Sequence, residues 1–309
     1  MKNKTNFMTK TWVIVIGAMI CCTLWGSAFP CIKIGYRLLE IAAADTASQI
    51  LYAGYRFTLA GVLTIALGSI LPRKILLPKR SAIGKIGLLS LLQTVLQYLF
   101  FYIGLAHTTG VKASIIEAVS TFVAILVAGY LFHQETVTSR KMLGCLIGFA
   151  GVVLVNVAGS GMDFRFSPAG DGCILLSTVA YAFSSVCMKR FSQKEDPVML
   201  SGYQFILGGI VMIACGGAMG GHLKAFTASA AALLIYMAMI SAVAYSLWGM
   251  LLKYNPVSKV TVFGFMNPVI GVILSALLLN ETESLGVSSV LALGLVCVGI
   301  YIVNAKAKE

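Results

Sequence analysis

Ten mostly apolar stretches run the length of the chain, each separated from the next by a short polar segment. They fall near 12–32, 48–70, 83–105, 113–132, 141–158, 171–188, 199–219, 230–252, 260–279 and 286–304. Each approaches the ~20 apolar residues that carry a helix across a bilayer. The runs are rich in Leu, Ile, Val, Ala and Gly and lack the period-2 alternation of barrel strands, so they predict helices. The pattern predicts an all-α polytopic membrane protein with ten transmembrane helices.

Composition sharpens this. The chain has 309 residues, of which 59% are hydrophobic and 11% charged. A soluble domain carries about 25% charged residues, so a water-facing surface cannot be built from this supply. The formal charge of +12 raises the question of nucleic acid, and the positions of the charges answer it. With a cytoplasmic N-terminus, 17 of the 23 Lys and Arg fall in inner segments and 5 in outer ones, leaving Arg56 inside a run. That asymmetry is a topology signal. It predicts both termini on the cytoplasmic side of the plasma membrane and no nucleic-acid partner. The basic N-terminus before an apolar run resembles a signal peptide, but the run is longer than such a region and is expected to be retained.

The second and seventh runs share a phrase. "GYRFTLAG" at 54–61 returns as "GYQFILGG" at 202–209, with Arg56 becoming Gln204. "WGSAFPCIK" (25–33) aligns with "YAFSSVCMK" (181–189), "LFHQET" (131–136) with "LLLNET" (277–282), and "GVVLVN" (151–156) with "GIYIVN" (299–304). The spacing of these echoes predicts two five-helix repeats, 1–160 and 161–309. Because five is odd, the second half enters the membrane upside down, the inverted-topology repeat found in secondary transporters. Arg56 and Gln204 then face opposite compartments, and the exchange makes the two vestibules chemically different.

The chain resembles the drug/metabolite transporter superfamily, in its EamA-type branch. The resemblance rests on "LWGSAFPCIKIG" in the first run, "YRFTLAG" in the second, "EAVSTFVAILVAGYLFHQETVT" in the fourth, "GCLIGFAGVVLVN" in the fifth and "FGFMNPVIGVILSALLLNETES" in the ninth. It covers essentially the whole chain. It implies export or exchange of small metabolites, amino acids among them, without ATP. Such proteins often carry proline in both the fourth and ninth helices; here Pro268 is present and its counterpart is Phe122, so unequal bending of the two halves is expected.

Arg56 is the one strongly charged cation within a run. An unpaired arginine at mid-helix costs about 2.5–3.5 kcal/mol on insertion scales, so it requires a partner or a wet cavity. Glu117, at comparable depth on the fourth run, is the candidate: either a proton-coupling carboxyl in a shared outward vestibule, or half of an ion pair that fixes helix packing. Gln93 and Gln97 are one helical turn apart and share a face; with Tyr98 and Tyr102 they are expected to line the cavity, against a purely interhelical hydrogen-bonding role. Trp25 and Tyr181 occupy repeat-equivalent positions beside small residues, and with Tyr245 are read as cavity walls; Trp248, near the cytoplasmic end, also suits a lipid-facing belt. Gln204 is the matching polar contact in the second half. Asn267, before the kink at Pro268, is read as a cavity-side contact. Gly144, Gly148 and Gly151 form a small-residue stripe that suits close helix packing, with homodimerisation as the sharper alternative. Glu135 and Glu281 read as solvated loop ends or caps.

Other classes fit poorly. The cysteines lie in apolar runs without CxxC spacing and the histidines are scattered, so no metal site and no cofactor is expected. No P-loop is present, and the outer-loop acids Asp163, Asp171 and Glu283 show no catalytic geometry. The expected partners are a small-molecule substrate, the bilayer and a coupled proton. A transporter leads over a membrane-embedded enzyme, and importer or exchanger stands beside exporter.

Overall fold

The computed structural model describes residues 7–70, 73–108, 110–157, 166–279 and 287–305. Among them the chain is helical without strands. The elements are α1 (Thr11–Leu38), α2 (Thr46–Ile70), α3 (Arg80–Leu105), α4 (Lys112–Leu131), α5 (Ser139–Val157), α6 (Pro168–Ser192), α7 (Pro197–Ala218), α8 (Ala228–Tyr254), α9 (Val257–Leu274) and α10 (Val287–Asn304). Among the described residues nine helices are long and apolar enough to cross a membrane; α10 contributes a shorter apolar stretch, Val290–Asn304. Asp163, Glu281 and Glu283 lie outside the described residues.

Polar side chains set several helix starts. Asp45 accepts the Ser48 amide at 2.9 Å before α2, and Asp196 accepts the amides of Val198 and Met199 before α7, whose first residue is Pro197. Thr227 accepts the Ala230 amide at the start of α8. Such caps satisfy amides that the helix itself leaves free, and proline suits the first position because it has no amide to lose. The α1 helix extends six residues past the apolar run read from sequence. Its end is buried, with Leu39, Ile41 and Tyr52 in one apolar cluster against Ala230.

Two helix pairs form the closest contacts, α2 with α7 and α5 with α10; α1 packs on α8 and α9, while α6 packs on α3 and α4. Glycine permits the approach. A Cβ at Gly61 would stand 2.5 Å from the Gly202 carbonyl oxygen, and one at Gly54 would stand 3.0 Å from that of Gly209. The echoed octapeptides therefore pack against each other, antiparallel. The α5–α10 pair behaves alike: a Cβ at Gly144 would meet the Gly299 carbonyl at 2.9 Å, and one at Gly151 that of Ala292 at 2.7 Å. The small-residue stripe of α5 is thus covered within the chain, with Gly148 under the Phe265 ring, and offers no free face for a second copy.

Four helices depart from α geometry in places, α6 in its first turn, Pro168–Gly172. Residues Ser90–Leu96 of α3 and Val127–Leu131 of α4 are π-helical, and Val262–Phe265 of α9 is 3-10. Pro268 lies just beyond the 3-10 turn and cannot donate to the carbonyl of Gly264. The α4 helix, lacking the matching proline, is interrupted at Val119. Glu135 corrects its sequence reading. Its carboxylate is buried, accepting the Ser258 amide at 2.9 Å and hydroxyl at 2.5 Å, with Lys141 Nζ at 2.8 Å. The segment after α4 is thereby tied to the start of α9, because an unpartnered carboxylate there would be costly to bury.

Candidate functional site

A cavity of about 150 Å³ lies among α1, α2, α3, α4, α6, α8 and α9. The α5 and α10 helices supply none of its lining, and neither does α7. Of the two tight glycine pairs only α2 reaches the cavity, through Arg56; the rest of the lining comes from the other helices, with Gly264 of the 3-10 turn among it.

One wall is aromatic. Trp25 meets the rings of Tyr245 and Trp248 edge-on at centroid distances of 5.1 and 5.0 Å. The hydroxyls of Tyr98 and Tyr245 are 2.8 Å apart, and Phe57 supports Tyr98 from behind at 4.4 Å. Tyr181, Phe101 and Tyr102 complete this wall. Trp248 is buried and does not line the cavity. Packing against Trp25 places it inside the protein, which overrides the lipid-belt alternative.

The opposite wall is hydroxyl-rich. Ser114, Ser120 and Thr121 flank Glu117 on α4, with Ser177 and Thr178 of α6 and Thr261 of α9 nearby. Thr121 donates to the Thr261 carbonyl at 3.1 Å, joining α4 to α9. Sequence reading missed these hydroxyls, although Ser114, Glu117 and Thr121 carry the three-and-four spacing of one helical face.

Arg56 and Glu117 both line the cavity, and no ion pair joins them. The guanidinium of Arg56 is buried, donates from Nη2 to Ser241 Oγ at 3.0 Å and lies over the Phe57 ring at 5.1 Å. Glu117 has no hydrogen-bond or ion-pair partner among the described residues. Every other described acid is engaged: Glu40 with Lys224, Asp45 with Ser48, Glu135 as above, Asp171 with Thr108 and Lys112, Glu195 with Lys85, and Asp196 at its cap. The ion-pair alternative for Arg56 and Glu117 is therefore overturned.

Trp25, Gln97, Tyr181, Tyr245 and Asn267 join Arg56 and Glu117 at the cavity, and Gln93 and Gln204 do not. Gln93 is buried within the π-helical segment Ser90–Leu96, and the cavity lining on α3 begins at Gln97. Gln204 is buried between α7 and α3, its Oε1 accepting from Thr94 Oγ1 at 2.6 Å. Several cavity groups keep a buried polar atom without a described partner: Trp25 Nε1, Arg56 Nε, Gln97 Oε1 and Asn267 Oδ1. Buried polar atoms are normally satisfied, so these four are free to bond a polar ligand in the cavity; comparable atoms also occur away from it, on Tyr36, Tyr52, Gln93, Gln134, Ser201, Gln204 and Trp248.

The profile of the EamA-like transporter family matches the chain twice, over residues 12–157 and 168–305. An uncharacterized transporter of Archaeoglobus fulgidus is 28% identical over 306 residues, covering 96% of this chain and 99% of that protein. The uncharacterized transporter YvbV of Bacillus subtilis is 27% identical over 92% of this chain and 89% of its own. The uncharacterized inner membrane transporter YedA of Escherichia coli is 28% identical over 92% and 90%. A solved crystal structure with 16% identity superposes with a TM-score of 0.78, covering 94% of this chain and 96% of that one, and so shares the fold. With nine membrane-length helices among the described residues, seven of them lining one cavity, and a family match across nearly its whole length, the chain belongs to the EamA-like transporter family and is a multi-pass membrane transporter.

Proposed function

We propose that the protein is a secondary transporter that exports small metabolites such as amino acids from the cytoplasm by alternating access, coupled to protons through Glu117. In this reading ten transmembrane helices form two inverted five-helix repeats, 1–160 and 161–309, in the plasma membrane with both termini cytoplasmic. The helix pairing supports the repeat. Gly54 meets Gly209 while its repeat partner Gly202 meets Gly61; such reciprocal contacts are what a pseudo-two-fold relation produces. Substrate binds in the cavity, among Trp25, Arg56, Gln97, Tyr181, Tyr245 and Asn267.

The observation that carries the coupling is a cavity carboxyl with no cation beside it. A carboxylate at membrane depth without a counter-charge is costly, and a proton removes that cost. Glu117 is thus suited to hold a proton in one state of the cycle and release it in another.

The test is flux in proteoliposomes loaded with an amino-acid mixture and read by mass spectrometry, with and without a pH gradient. Gradient-dependent release of a defined subset, with the dependence lost in Glu117→Gln, is the expected result. Flux indifferent to the gradient in both proteins sinks the coupling and leaves a facilitator or exchanger. Net uptake under an inward proton gradient reverses the assigned direction.

A further inference from the structure

We propose that Arg56 is a carboxylate-binding subsite, so that the cavity selects substrates bearing a free carboxylate over their neutral counterparts. This rests on the transporter reading only in taking the cavity as the place where substrate binds. The guanidinium is buried and its charge persists in proteins, yet no carboxylate among the described residues pairs with it. Its described contacts are the Ser241 hydroxyl and the face of Phe57, and neither carries a counter-charge. Nε, sealed from solvent, has no partner.

Arginine presents a planar fork of donors that matches a carboxylate with two parallel hydrogen bonds. Here Ser241 holds the fork at Nη2 while the remainder borders the cavity. Ser241 is itself fixed, donating to the Met237 carbonyl of its own helix, and serves as a positioning residue. Tyr98 and Tyr102 line the same cavity, the Tyr98 hydroxyl being already paired with that of Tyr245. Trp25, Phe101 and Tyr181 would enclose the apolar body of such a substrate. A neutral ligand in this place leaves the buried charge uncompensated, and a cationic one adds to it. Discrimination therefore comes from the penalty on the wrong ligand as much as from the bond to the right one.

The test uses the purified full-length protein and benzoate against benzamide, two probes of the same shape that differ in charge, read by saturation-transfer NMR with potassium chloride as a simple-anion competitor. We expect benzoate to bind about tenfold more tightly than benzamide, the difference of one charge-assisted contact, with chloride at equal concentration not displacing it. Arg56→Gln should erase the preference. Arg56→Lys, which keeps the charge and loses the fork, and Ser241→Ala, which frees it, should each narrow it. Equal binding of the two probes to the wild type overturns the proposal. So does a preference that survives in Arg56→Gln, or displacement by chloride. The readout needs no transport: a benzoate preference without flux in proteoliposomes faults the transport reading alone, and flux without the preference faults the subsite alone.

Discussion

Arg56 and Gln204 stand at matched places in the two echoed octapeptides, yet one lines the cavity and the other is packed shut. Arg56 reaches across to α8, where Ser241 receives it. Gln204 reaches across to α3, where Thr94 donates to it. In each half the side chain from the second helix meets the helix that carries the opposite repeat's third run, so the geometry is kept and the chemistry exchanged. The difference teaches that a shared backbone arrangement does not fix what the side chain at a matched place does. Glycine pairs fix the backbones in both halves alike, and a single change of side chain then decides which half holds an unpaired charge.

Breaking the scaffold should have the largest effect, and it should strike both halves together. Gly61→Leu places side-chain atoms where a Cβ alone would already stand 2.5 Å from the Gly202 carbonyl. Overpacking typically costs about 1–3 kcal/mol, and backbone on backbone has little room to relax, so loss of monodisperse protein in size-exclusion chromatography is expected. Gly87→Ala, within a helix where an added Cβ meets nothing within 4 Å, should hold or raise thermal stability, alanine being the better helix former by about 1 kcal/mol. Similar behaviour of the two variants would refute the scaffold role.

Exchanging the matched residues should come next. Gln204→Arg puts a cation into a closed polar contact, and at membrane depth that costs about 2.5–3.5 kcal/mol, which thermal unfolding in detergent would register. Arg56→Gln should be milder in stability and severe in flux, because it removes a charge that has no described counter-ion. If Gln204→Arg instead proves as stable as the parent, the packed-shut reading of α7 fails. Thr94→Val should cost less, about 0.6–2 kcal/mol for a lost interhelical hydrogen bond, with flux preserved. A flux defect there would bring Gln204 back into the transport site.

The smallest effect lies outside the membrane-spanning helices. Glu195 accepts from Lys85 Nζ at 2.6 Å, and that hydrogen bond holds its carboxyl below the usual glutamate range. The folded value being depressed, the contact stabilises the protein above the ordinary glutamate value of about 4.3, and its contribution is lost as pH falls through the folded value. The thermal midpoint of Glu195→Gln should therefore differ from wild type at pH 7 and converge with it only as pH falls below about 4. Convergence on raising the pH would contradict the assignment.

Much of the fold was legible from apolar run lengths because a bilayer leaves the backbone few options: every amide must bond within its own segment. The all-helical membrane class and nine membrane-length spans among the described residues follow from that constraint, and the echoed phrases from the letters themselves. Seven of the nine candidate site residues reach one cavity, since polar and aromatic side chains inside apolar helices have few tolerable places other than a wet interior. Gln93 failed because spacing along one helix says which residues lie near one another and not which helix covers them: it is buried, and the cavity lining on α3 begins at Gln97. Glu135 failed because its partner Ser258 is 123 residues away, beyond any local pattern.

The sequence by itself determined the membrane class, the helical spans, the duplicated phrase and the family. Only the tertiary structure decided that Arg56 and Glu117 share a cavity without pairing, that Gln204 is sealed behind α3, and that the glycines of the echoed phrases meet each other. Apolar length and repetition are properties of one segment read alone. Whether a charge finds a partner depends on which helices cross beside it and on how a turn of α, π or 3-10 geometry aims the side chain.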